Sequence, residues 1–172
     1  MILQLDWLKR KFQFDFPVEI FPSILERFRG TPIRLEELIE NLSEESLTFK
    51  PEGKWSIKEH AGHLLSLEEL GEKRIDVYLS GAEILTAADI TNRATNESNY
   101  NSKSIGDILK QFRSARESLV KKFDTLNQKQ AAISSFHPRL KMQMRIIDWV
   151  YFMCEHDDHH LARIREIIMK IS

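Results

Sequence analysis

Apolar side chains recur along most of this chain at the three-and-four spacing of an amphipathic helix. Ile24, Leu25, Phe28, Leu35, Leu38, Ile39 and Leu42 follow that period and predict a first helix over about 22–42. Pro32 lies inside it and should kink or split it, because proline lacks an N–H and its ring clashes with the preceding turn. A second helix is predicted from Ser56 to about Leu79. Ser56-Ile57-Lys58-Glu59 has the form of a capping box, in which the serine oxygen and the glutamate carboxylate satisfy the first free N–H groups. A third helix should begin at Ser104, before Asp107, and run to about 127 on Ile105, Ile108, Leu109, Phe112, Leu119 and Phe123. A fourth is predicted from about Gln143 to Lys170.

Between these helices the punctuation is sparse. Residues 43–54 read as a turn and 128–141 as a connection containing His137-Pro138-Arg139. Residues 80–103, rich in Asn, Ser and Thr, form the longest irregular stretch and are expected to be a loop or crossover, solvated rather than functional, with bordering a site as the alternative. Few runs alternate as strands do. The expected fold is all-α: a four-helix bundle with a long crossover connection, in one domain spanning 1–172. Residues 1–21 are expected to be an extension whose Trp7, Phe12, Phe14 and Phe16 pack on the bundle or on a second subunit.

Composition narrows the function classes. With 172 residues the chain can build a full core without disulfides, and its single cysteine, Cys154, excludes an intramolecular one. A net charge of -1 argues against nucleic acid as a partner. The N-terminus is apolar before it is basic, the reverse of a secretory signal, and no apolar run is long enough to span a bilayer. A cytoplasmic location is the expectation.

The chemistry concentrates in the histidines. Of six, His60 and His63 fall in the second helix, His156, His159 and His160 in the fourth, and His137 precedes the fourth. At about 100° per residue, His160 lies about 20° and His156 about 60° from Met153, within or beside the core-facing stripe. Asp157 falls inward beside them, Glu155 and Asp158 point to solvent, and Cys154 sits off the stripe as a half-buried residue. Buried polar groups are costly without partners, and two imidazoles one turn apart can share a metal ion that offsets the cost. A third ligand would come from the second helix, where periodicity does not choose between His60 and His63. The bland alternatives are satisfied core histidines, and for Asp157 a buried hydrogen bond or salt bridge.

The segments Trp55-Ser56-Ile57-Lys58-Glu59-His60-Ala61-Gly62-His63-Leu64 and Glu155-His156-Asp157-Asp158-His159-His160-Leu161-Ala162-Arg163-Ile164 resemble the second and last helices of the DinB/YfiT-like superfamily. The Thr31-Pro32 break and the His137-Pro138-Arg139-Leu140 approach are similar too, so the resemblance covers about 22–171. It implies a four-helix bundle with a crossed connection and a metal site at His63, His156 and His160. It also implies a homodimer and an activity among metal-dependent hydrolases or transferases and isomerases that use low-molecular-weight thiols. One divalent ion, zinc or nickel, is the expected cofactor, and a small molecule, such as a thiol, the expected partner. Asp157 is the expected side chain to steady a ligand or move a proton, and His60 to orient a ligand or line the pocket. The competing readings are a non-catalytic metal-binding stress or sensor protein and a helical interaction module with no metal.

Overall fold

The computed structural model describes residues 2–171 and is mostly helical. The first predicted helix is two: α1 (Phe21–Arg29) and α2 (Thr31–Ile39), broken at Gly30. Pro32 sits in the first turn of α2, where its missing N–H has no partner to lose. The expected turn at 43–54 holds a short α3 (Glu44–Thr48) and a 3-10 turn at Pro51–Gly53. α4 (Ile57–Leu79) starts at the predicted box: Ser56 Oγ accepts from the Glu59 N–H, and Glu59 accepts from the Ser56 N–H at 2.8 Å. The irregular stretch contains α5 (Arg93–Glu97), and α6 (Ile105–Asp124) is capped by Ser104.

The approach to the last helix differs from the expectation. After α7 (Gln128–Ala131), strands β1 (Ser134–His137) and β2 (Met142–Arg145) form an antiparallel hairpin, and α8 spans Ile146–Ile171. Residues 143–145, read as the start of a helix, are therefore strand. The loop after α4 joins the hairpin through Leu85 N–H to Phe136 O (3.0 Å) and Phe136 N–H to Glu83 O (2.7 Å).

α4 packs against α6 and α8, and the α1–α2 pair packs against the same two helices. Around the bundle the order is thus α1–α2, α6, α4, α8, so the chain crosses the diagonal between α2 and α4 and again between α6 and α8. Four-helix character with a crossed connection follows from this arrangement.

The core is split in two. One apolar cluster gathers Phe28, Tyr78, Phe123 and Trp149, and the other Leu35, Leu64, Phe112 and Ile164. On each helical unit a buried polar residue stands in sequence between its contributions to the two clusters: Thr31, Glu68, Arg116 and Asp157. They meet in one network. Arg116 donates to Asp157 Oδ2 at 2.7 Å, to Glu68 at 2.7 Å and to the Phe28 carbonyl at 2.8 Å, and Thr31 donates to Asp157 Oδ2 at 2.8 Å.

The N-terminal segment lies along α8. Trp7 and Phe12 both contact Phe152, with ring centroids 5.1 and 5.0 Å away, and Phe16 contacts Tyr151 at 5.1 Å. Glu155 is tied by ion pairs to Arg10 of this segment and to Arg27 of α1, and Asp158 to Arg27 and Arg34. These acids, expected in solvent, instead clamp neighbouring elements to α8. Cys154 is fully buried rather than half-buried, with Sγ 3.5 Å from the Ile24 carbonyl. Among the described residues no helix is long and apolar enough to cross a membrane.

Candidate metal centre

His63 on α4 and His156 and His160 on α8 face one another across the contact between these helices. One ring nitrogen from each can be chosen so that all lie within 4.8 Å of one another. The ring centroids are 4.5 Å apart for His156–His160, 4.8 Å for His63–His160 and 5.3 Å for His63–His156. All three side chains are buried.

The contact between His156 Nε2 and His160 Nε2, 3.1 Å, is the sharpest test of fit. Two nitrogens bound tetrahedrally to one ion at about 2.0–2.1 Å would be about 3.3 Å apart. The observed separation is close to that value. The remaining nitrogens are also arranged for it. His160 Nδ1 lies 2.8 Å from His60 Nδ1, and His63 Nδ1 lies 2.9 Å from Thr95 Oγ1. With the Nε2 lone pairs turned to an ion, His160 Nδ1–H donates to His60 and His63 Nδ1–H donates to Thr95. Such outer partners fix a ligand's tautomer and ring angle. His156 Nδ1 has no hydrogen-bond partner among the described residues.

The electrostatics favour neutral rings. Burial lowers His63 to about 4, and burial with the neighbouring His63 lowers His60 to about 3. His156 and His160 are also held well below the ordinary value, first by burial and then by the other histidines. Neutral imidazole is the form that binds a metal, so the cluster needs no deprotonation at neutral pH.

A cavity of about 560 Å³ opens beside the cluster, and His60, His63, His156 and His160 all line it. Trp55 flanks His63 at 4.8 Å and Trp7 meets His156 edge-on at 4.9 Å, so an indole stands on either side.

Of the residues singled out from sequence, His63, His156 and His160 converge and His60 sits beside them on His160. Asp157 does not line the cavity. Its carboxylate accepts from Arg116 and Thr31, the arrangement of the buried salt-bridge alternative. Sequence reasoning missed Thr95. It belongs to the Asn-rich stretch taken as solvated, yet α5 brings it to His63, and Asn101 of the same stretch accepts from Ser56 Oγ at 2.6 Å. No local periodicity marks a threonine 32 residues from its partner.

A helical bundle with crossed connections and a buried three-histidine cluster at a cavity defines the class. Residues 27–164 match the DinB superfamily, and the chain belongs to it. Among solved structures it is similar to YfiT from Bacillus subtilis, described as a probable metal-dependent hydrolase with an unusual four-helix bundle topology. The two are 17% identical, with a TM-score of 0.82 covering 94% of this chain and 93% of that one. At that identity the likeness establishes the fold. No curated protein matches the sequence.

Proposed function

We propose that this protein is a metal-dependent enzyme, a hydrolase first, in which His63, His156 and His160 hold one divalent ion, zinc or nickel. The observation that carries the reading is the 3.1 Å approach of two buried, neutral imidazole nitrogens, with a third imidazole opposite and an open cavity beside them. An ion bound by three neutral side chains supplies Lewis-acid polarisation and lowers the pKa of a water or thiol that reaches it.

The chain's own residues do the rest. His60 and Thr95 hold the rings of His160 and His63 in orientation. Trp7 and Trp55 wall the cluster with apolar surface and restrict water. Asp157 acts at a distance: with Arg116 it fixes the face of α8 that presents His156 and His160, and it is a positioning residue. The likeness to YfiT supports the hydrolase reading; transfer to a low-molecular-weight thiol would use the same site with a different nucleophile.

The test is metal analysis of protein purified without a histidine tag, beside His63→Ala, His156→Ala and His160→Ala. About one ion per chain, lost in each variant, is expected for a three-ligand site. Loaded protein should then hydrolyse activated esters or amides, or conjugate a thiol, and lose that activity on chelation. Absence of metal after supplementation would return the histidines to the core. Metal without turnover of any substrate would favour a binding or sensor role.

A further inference from the structure

The same cavity is lined by a second set of groups. Arg74 of α4 exposes only 2% of its surface, and its Nε donates to the Thr86 carbonyl at 3.0 Å. Its Nη2 has no partner, and no carboxylate pairs with it among the described residues. A buried guanidinium without a counter-charge is costly. Arg139, on the hairpin turn, has no carboxylate partner among the described residues either; it lies over the rings of Phe152 at 5.3 Å and Trp7 at 5.8 Å. His137 is buried between them in charge terms, since both arginines help burial to lower it to about 4.

The tautomer of His137 is fixed by its neighbour. The Leu140 backbone N–H donates to His137 Nδ1 at 3.2 Å, so the ring proton sits on Nε2. That Nε2–H is buried and has no partner among the described residues. Arg74, Arg139 and His137 all line the same cavity, and what they have to offer is donors only. The acids on this cavity are occupied elsewhere: Asp6 pairs with Lys9 at 3.0 Å, and Asp89 accepts from Thr91 and from the Arg93 N–H.

We propose that Arg74, Arg139 and the His137 Nε2–H form an oxyanion subsite that takes the carboxylate or phosphate end of a small-molecule substrate. Guanidinium forks match both groups. Arg139 lies over Trp7, and Trp7 packs on His156, so this end of the subsite stands one aromatic ring from the cluster. A short substrate could be anchored here while its reacting bond reaches the histidines. This deepens the reading of the cavity as a substrate site, but its test needs no metal.

Binding of malonate and of inorganic phosphate to the full chain would be measured by calorimetry and by thermal shift, at constant ionic strength, with and without chelator. The expected result is saturable binding of at least one anion by chelated wild type. Arg74→Met and Arg139→Gln should weaken it about tenfold or more, the scale of a charge-assisted pair. The double variant His156→Ala/His160→Ala should still bind. Preference for malonate identifies a carboxylate, and preference for phosphate a phosphoryl group. Binding of neither anion, or unchanged affinity in Arg139→Gln, would overturn the subsite. So would binding that vanishes only when the histidines or metal are removed. Arg139 is half-exposed and decides the matter if Arg74→Met does not fold. Wild type that binds anions but never metal would sink the proposed enzyme and leave the subsite standing; metal without anion binding would do the reverse.

Discussion

Arg116 and Asp157 meet at 2.7 Å in a place where neither side chain exposes more than 1% of its surface. The guanidinium also stacks on Phe28, 3.6 Å from the ring centroid, and pairs with Glu68. Removing one partner of such a network leaves uncompensated buried charge. Arg116→Ala should therefore cost about 3–5 kcal/mol in urea unfolding. Replacing Arg116, Glu68 and Asp157 together by apolar residues of similar volume should recover much of that loss. A single variant within about 1 kcal/mol of wild type would show that the layer is wetter than it looks.

Thr95→Val removes the acceptor from His63 Nδ1 while keeping the volume. Metal stoichiometry should persist, with affinity down about 10–100-fold in a chelator competition. An unchanged affinity would mean that Thr95 only packs.

Gly62 gives Tyr100 its place. A Cβ at this position would lie 2.3 Å from the tyrosine ring, and the ring's hydroxyl is 2.7 Å from Ser66 Oγ. Gly62→Ala should destabilise by about 1–3 kcal/mol through overpacking. Combined with Tyr100→Ala it should be clearly less than additive, since both changes act on one contact. Additive losses would place the strain elsewhere.

Acid should weaken the metal-free protein. His60, His63, His137 and His159 are lowered to about 3, 4, 4 and 4 from 6.5, and His156 and His160 are lowered too, each chiefly by burial. Between pH 6.5 and 4 the unfolded chain takes up protons that the folded chain refuses. Stability is then fully present above the unfolded value and falls as pH drops, by up to about 1.4 kcal/mol per pH unit for each such group. Urea midpoints in chelator should be flat from pH 7 to 8 and fall steadily toward pH 5. A midpoint that holds constant to pH 5 would show these rings already protonated in the fold.

Much of this was legible in the chain because it is local. Ser56 and Glu59 sit three apart and cap α4 as their spacing requires; His156 and His160 sit four apart and share a face. The misses are of another kind. Met142–Arg145 carries polar and apolar residues in a run too short to show a period, and becomes strand only because Ser134–His137 lies opposite. Arg116 reads as one more charged residue on α6; its burial depends on Glu68 and Asp157, which arrive from 48 and 41 residues away. The inward angle of Asp157 was correct, but the angle alone could not say that a guanidinium waited there rather than a substrate.

The N-terminal segment has a further consequence. Trp7 and Leu8 form part of the cavity lining, yet the segment belongs to none of the four helical units that carry the histidines and the buried ion network. Shape on that side of the cavity is thereby set in part from outside the helices that hold the cluster. Exchanging Leu8, which is 71% exposed, could widen, narrow or recharge the entrance without asking any helix to repack, whereas Trp7 packs on Phe152 and His156 of α8. Selectivity can therefore drift in evolution, or be redesigned, at position 8 with little risk to the scaffold.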